Sequence, residues 1–276
     1  MKQSRSEQLI GHAILVIGAI VALYPFVSIL ILALTPRSEH ATGLQIPHAM
    51  TFDNFATAWT DGGFGQALLS SAIVALGVVG GSVFLSVLAG YAFATMKFWG
   101  RTLLAGFLLI GLVVPYEGLI VPLYYLLDGM HLLNTYWALI LPQIATSVSL
   151  GIFWMRTAYA NVPVSLLDAA RVDGATRRAT LWRIYLPISW PAVGTLATLL
   201  FLFTWNEFLM PLVLVSQNPA VQTAPLALSF FAGNTRNFNP SVTAAAAVIV
   251  AVPIIVVYAI LQRRFISGIV SGAVKE

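Results

Sequence analysis

Residues 161–191 read NVPVSLLDAARVDGATRRATLWRIYLPISWP, a charged stretch set between two long apolar runs. Ser165-Leu166-Leu167-Asp168 has the spacing of a capping box, in which the Ser hydroxyl takes an unpaired amide at a helix start and the acidic residue three positions on answers it. A helix is therefore expected to begin near Ser165. Helical spacing then puts Leu166, Leu167 and Ala170 on one face, with Asp168 and Arg171 beside it, as a small apolar plug edged by charge. Asp173-Gly174 closes the helix, since Gly tolerates the left-handed backbone of a helix end. Thr176 caps a second short helix that carries Leu181, Trp182, Ile184 and Tyr185 towards the bilayer, until Pro187 and Pro191 break the pattern. Helix, Gly turn and helix together make a projection suited to being gripped by another protein.

Composition says what the flanks are. Of 276 residues, 59% are hydrophobic and 9% charged, with mean hydropathy +0.87, a balance that marks an integral membrane protein rather than a soluble domain. The chain has no cysteine, which excludes disulfides, thiolate metal sites and a cysteine nucleophile. His40 and His48 have no acidic or cysteine partner at ligand spacing, so no metal site is expected there.

Six apolar stretches are long enough to span a bilayer: residues 9–34, 68–96, 102–127, 134–158, 188–216 and 240–261. The first exceeds the about 7–15 apolar residues of a cleaved signal and reads as an uncleaved span. Pro115 and Pro122 interrupt the third around Glu117, and Pro142 sits in the fourth. Residues 35–66 and 217–239 read as polar loops, the first ordered around the aromatics of Thr51-Phe52-Asp53-Asn54-Phe55. In the second span Ser82, Ser86, Gly90 and Ala94 recur every fourth residue, and Gly77 pairs with Gly81. Either a neighbouring helix approaches closely here, or these are the scattered small residues of any membrane helix.

Six spans put both termini on one side, and all but Arg37 and Arg236 of the 14 Lys and Arg residues fall on that side. The positive-inside rule makes the termini and the projection cytoplasmic. The net charge of +4 is thus orientation, not a nucleic-acid footprint. No internal repeat is found, which argues against a secondary transporter built from two related halves. None of Lys2, Lys97 and Lys275 follows a Gly, so there is no P-loop for ATP. If ATP drives this protein, a separate chain hydrolyses it, and the projection is the place for that chain to push.

Two carboxylates, Glu117 and Glu207, lie within the spans, both past the midplane when counted from the cytoplasmic ends at about 1.5 Å per residue. Ionisable groups at that depth face the bundle interior or water. With Tyr116, Trp205 and Asn206 they would line a solute pathway, because carboxylates, amides and aromatic faces suit sugar hydroxyls and rings. The competing reading is structural hydrogen bonding between helices. His12, near the cytoplasmic end of another span, leaves a proton relay without its chain of acids or histidines.

Asp168-Ala169-Ala170, three residues, Gly174, nine residues, then Ile184-Tyr185-Leu186-Pro187 resembles the cytoplasmic coupling loop of ABC-importer permeases at every spaced position. Where the family commonly has Glu, Asp168 is one methylene shorter and keeps the charge. Trp205-Asn206-Glu207-Phe208 with Pro211-Leu212, the segments Thr35-Pro36-Arg37-Ser38-Glu39 and Thr51 to Phe55, and the tail from Gln262-Arg263-Arg264-Phe265 to Lys275 resemble the carbohydrate-uptake branch, particularly the second permease of maltose-type transporters. The resemblance covers essentially the whole chain.

It implies an all-α, polytopic fold of six transmembrane helices in one permease domain, 1–276, in a bacterial cytoplasmic (inner) membrane. Its coupling loop would occupy 159–187 and its cytoplasmic tail 263–276. It also implies that Leu166, Leu167, Asp168, Ala169, Ala170, Arg171, Asp173 and Gly174 dock on an ATPase, and that Gly268, Ser271 and Gly272 of the tail reach it. Further expected partners are a homologous permease, a second ATPase subunit, an extracytoplasmic solute-binding protein, membrane lipid and a carbohydrate-like solute. No cofactor is expected on this chain, with ATP and Mg on the ATPase subunits, and the chain itself is not an enzyme. An ion-coupled transporter would differ in working without an ATPase, and an intramembrane enzyme in using Glu117 with Glu207 as its acid pair.

Overall fold

Lipid offers no partner to a backbone amide, so apolar runs of this length satisfy their own hydrogen bonds as helices. The computed structural model describes residues 5–39, 47–234 and 238–273, with side chains for 8–39, 47–234 and 238–260, and no strand occurs among them. Lys2, His40, Arg236 and Lys275 lie outside the described residues. Among the described residues four helices are long and apolar enough to cross a membrane: α1 (Arg5–Leu34), α3 (Phe64–Thr95), α6 (Tyr136–Ala160) and α13 (Pro240–Ala273). Counting each of two bent helix pairs as a span brings the number to six.

The bends have local causes. α4 (Arg101–Val113) meets a 3-10 turn (Tyr116–Leu119) and α5 (Ile120–Gly129) at 90°. Pro115 drives the preceding Val114 into extended backbone, φ −69° and ψ 120°. α8 (Arg177–Thr180), a π-turn (Leu181–Tyr185) and α9 (Leu186–Ile188) meet α10 (Trp190–Asn206) at 74°, where Pro191 has no N–H and its ring crowds the carbonyl four residues back.

Several expected boundaries move. The fifth apolar run is not one helix to Ser216, because the chain extends at Glu207 (φ −65°, ψ 125°) before α11 (Leu209–Leu214). The two polar loops hold α2 (Asp53–Gly62) and α12 (Ala224–Ala232), and α13 continues past the expected end at Leu261.

The chain divides into two compact units. In the first, Met1–Gly65 and Ala227–Val252, α1 is largely exposed but its C-terminal end is sealed. The fully buried Asn54 donates from Nδ2 to the carbonyls of Ala33 and Thr35 at 2.9 and 2.8 Å, groups that a helix end leaves unpaired. Arg37 then donates to Thr57. Asn54 thus anchors the 51–55 segment, with Phe52, 74% exposed, resting its ring 6.1 Å from that of the half-buried Phe55.

The second unit is Gln66–Leu226 with Pro253–Glu276. Here the small residues of α3 do admit a neighbour. A Cβ on Gly77 or Gly81 would come within 2.9 Å of Ile140 or 2.6 Å of Ile144, and one on Gly90 within 2.7 Å of Met155 Cβ and 3.1 Å of the Arg156 amide. On the facing helix, Gly151 in turn leaves room for Ser86. α3 and α6 thus pack along glycine contacts, and dispersion over that seam replaces the hydrophobic drive that lipid cannot supply. α6 also packs on α4 and α10.

Candidate functional site

The projection departs from its expected start. α7 (Val164–Val172) has Pro163 at its N-cap and no side-chain cap, so the capping box at Ser165 does not form; a Pro ahead of the first turn pre-sets the backbone one residue earlier. Asp168 does not reach back. Its Oδ1 accepts from Arg171 Nη1 at 2.9 Å, with both side chains more than half exposed. The end is as expected: Gly174 is left-handed at φ +72°, and the Ala175 amide donates to the Ala170 carbonyl at 2.9 Å. Thr176 Oγ1 accepts from the Ala179 amide, capping α8.

The faces are sorted differently from the expectation. Leu167 and Ala170 turn inward onto the second unit's core, whereas Leu166, Asp168, Ala169, Arg171, Asp173 and Gly174 are exposed. Val164 and Val172, not singled out in the sequence, are exposed by 67% and 88%. Apolar and charged groups are thereby displayed together on one short helix.

Leu181 and Tyr185 are buried rather than turned to lipid, at 5% exposure each. The reason is an aromatic cluster: Tyr185 meets Tyr91 of α3 at 5.1 Å and Tyr159 of α6 at 5.4 Å between ring centres, edge to face. Tyr91 also donates its hydroxyl hydrogen to the Arg177 carbonyl at 3.1 Å. The projection is thus seated on α3 and α6 through three tyrosines. Their spacing in sequence gives no hint of it.

A hollow of about 590 Å³ lies between α6 and α10. Of the five residues expected on a solute pathway, Tyr116, Asn206 and Glu207 line this hollow and Glu117 and Trp205 do not. Trp205 is 4% exposed and packs on Phe201 with ring centres 5.3 Å apart, because the helix register points it into the bundle. Glu117 is exposed on the 3-10 turn. Glu207 takes two hydrogen bonds, from Tyr116 Oη to Oε2 and from the Met210 amide to Oε1, each 3.0 Å. Gln143, Thr146 and Ser147 of α6 and Thr204 of α10 complete the polar lining; the i, i+3, i+4 spacing of the first three inside an apolar span is the legible signal. No group of His, Asp or Glu among the described residues could hold a metal ion.

The backbone of 261–273 is helical, but its side chains lie outside the described residues, and with them the expected contacts of Gly268, Ser271 and Gly272.

Residues 82–270 match the family described as "Binding-protein-dependent transport system inner membrane component". The chain is 36% identical over 255 residues to the trehalose transport system permease protein SugB of Mycobacterium tuberculosis, covering 92% of this chain and 93% of that one. It is 34% identical to the arabinooligosaccharides transport system permease protein AraQ of Halalkalibacterium halodurans, covering 93% and 92%. With the trehalose/maltose transport system permease protein MalG of Thermococcus litoralis the identity is 29%, over 98% and 99%. A chain in the crystal structure of a bacterial ABC transporter that imports the acidic polysaccharide alginate superposes with a TM-score of 0.79 at 21% identity, covering 96% of this chain and 99% of that one; that likeness concerns the fold.

Proposed function

This chain belongs to the family of binding-protein-dependent transport system inner membrane components, and on that premise we propose that it is the permease subunit of an ATP-driven importer for a sugar, oligosaccharide or related polyol. The whole chain serves as one permease domain with six spans, both termini in the cytoplasm, in a bacterial inner membrane. A homologous permease completes the pathway, two ATPase subunits carry ATP and Mg, and an extracytoplasmic binding protein delivers the solute. The names of the sugar permeases above support the solute class.

The observation that carries the coupling role is the seating of the 159–187 projection. Its exposed side chains include Asp168, Leu166 and Val172, and its underside is locked to α3 and α6 by Tyr91, Tyr159 and Tyr185. A displacement applied to α7 passes through close-packed rings into two spans, since packed interiors transmit strain rather than absorb it. The Asp168–Arg171 pair is exposed and so contributes little to stability, leaving the carboxylate available to a cationic partner. Gly268, Ser271 and Gly272 are assigned to a tail contact with the ATPase dimer.

The test is reconstitution in lipid vesicles with the partner permease, the ATPase and the binding protein that co-purify with it. Uptake of radiolabelled trehalose, maltose or an arabinooligosaccharide is expected only with ATP and binding protein together. Uptake by this chain without any ATPase, driven by a proton or sodium gradient, would overturn the reading.

A further inference from the structure

We infer that Gln143 contacts the solute directly, and that with Ser147 and Asn206 it forms a neutral hydrogen-bonding subsite for the hydroxyls of an uncharged carbohydrate. The inference rests on the importer reading above.

Gln143 is 5% exposed, and its amide nitrogen has no hydrogen-bond partner among the described residues. A buried amide in an apolar span is costly unless something pairs with it. The side chain lines the hollow of about 590 Å³, a volume within the roughly 300–1,000 Å³ of small-molecule sites. Among the described residues no neighbouring helix answers that nitrogen, so bonding between helices of this chain does not account for it.

The other polar groups define what would fit. Thr146 donates its hydroxyl hydrogen to the Gln143 carbonyl at 3.1 Å, so it can only accept from a solute. Asn206 donates from Nδ2 to the Leu202 carbonyl at 2.8 Å, which leaves its Oδ1 as an acceptor. Ser147, four residues after Gln143, lines the same hollow. An amide donor, a hydroxyl and an amide acceptor match a sugar hydroxyl, which both gives and takes a hydrogen bond. The Glu207 carboxylate accepts from Tyr116 and Met210, keeps further lone pairs for a solute hydroxyl, and adds acidic charge to the wall. That charge, with no Lys or Arg lining the hollow, selects against uronates and other anionic solutes.

The experiment uses the assembled complex in vesicles, with trehalose, maltose and a uronate disaccharide as probes, all radiolabelled. Gln143→Leu is expected to raise the KM for the neutral sugar about tenfold or more, while binding-protein-stimulated ATP hydrolysis persists. Unchanged uptake in Gln143→Leu, or a wild type that carries only the uronate, overturns the inference and leaves the importer reading standing. If the wild type carries no probe and its ATP hydrolysis does not respond to the binding protein, the importer reading falls and this inference with it. Should Gln143→Leu fail to assemble, a thiol decides. The chain has no native cysteine, so Gln143→Cys in the complex is expected to react with a water-soluble methanethiosulfonate and to be protected by the transported sugar. Leu139→Cys, one turn away at a fully buried position, is the silent control. Reactivity at 143 no faster than at 139, or without protection, overturns the proposal.

Discussion

Tyr116 donates its hydroxyl hydrogen to Glu207 Oε2 at 3.0 Å, joining the broken helix at Pro115 to the break that follows Asn206. Glu207 Oε1 meanwhile receives the Met210 amide, one of the orphan donors at the start of α11. One carboxylate therefore holds two interruptions of the bundle together. Tyr116→Phe and Glu207→Gln should each destabilise the complex by about 1.5–3 kcal/mol, the range for hydrogen bonds to charged groups. The double variant should lose much less than the sum, because the shared bond is gone after the first change. Thermal melting of the purified complex reads this, and simple additivity would refute the pairing.

At the projection, Asp168→Lys replaces an exposed carboxylate by a cation at the proposed docking face. Like charges set against each other cost several kcal/mol at an interface, so ATP-driven uptake is expected to drop by at least about tenfold, 1.4 kcal/mol. Insertion of the chain should be unaffected, because the Asp168–Arg171 pair it removes is more than half exposed. Normal uptake alongside normal ATPase binding would refute the docking assignment.

The tyrosine cluster separates movement from binding. Tyr185→Ala empties the space between Tyr91 and Tyr159, whereas Tyr91→Phe loses only the hydrogen bond to Arg177. The first should leave the ATPase bound but lower the sugar carried per ATP hydrolysed; the second should change that ratio far less. Equal ratios in wild type and Tyr185→Ala would show that the rings transmit nothing.

What could be read in advance follows from where the physics is local. Gly174 and Thr176 act within a turn, so the loop's middle and its second cap were legible. Pro115 signalled an interruption but not a right-angle bend, which depends on what α5 packs against. The Ser165 box failed because Pro163 started the helix earlier. Asn54 and the three tyrosines act across 17 or more residues of chain, and no periodicity announces such partners; the spacing of Gln143 with Thr146 and Ser147 marks a polar face but not the hollow it lines. α2 and α12, 10 and 9 residues long, are too short for a helical period to stand out within the loops that hold them.

Glycine substitutions on α3 distinguish packing from composition. Gly90→Ala pushes a methyl into Met155 Cβ and the Arg156 amide, and overpacking of that kind costs about 1–3 kcal/mol. Gly80→Ala meets nothing within 4 Å and should be neutral or stabilising by up to about 1 kcal/mol through helix entropy. Melting temperatures that fall equally for both would mean the glycines are interchangeable and the α3–α6 seam is not set by them.

Asn54 offers a test within the first unit. Its Nδ2 is the donor to both the Ala33 and the Thr35 carbonyl, and it is fully buried, so Asn54→Ala should cost about 1–3 kcal/mol for each orphaned acceptor. Asn54→Asp keeps the shape but turns an acceptor towards two carbonyl oxygens. It should therefore be worse than the alanine variant, even though Arg37 lies beside Oδ1 at 3.5 Å. Limited proteolysis of residues 35–66 in vesicles measures the loosening of this segment. If Asn54→Asp proves as resistant as wild type, the amide is not what seals the end of α1.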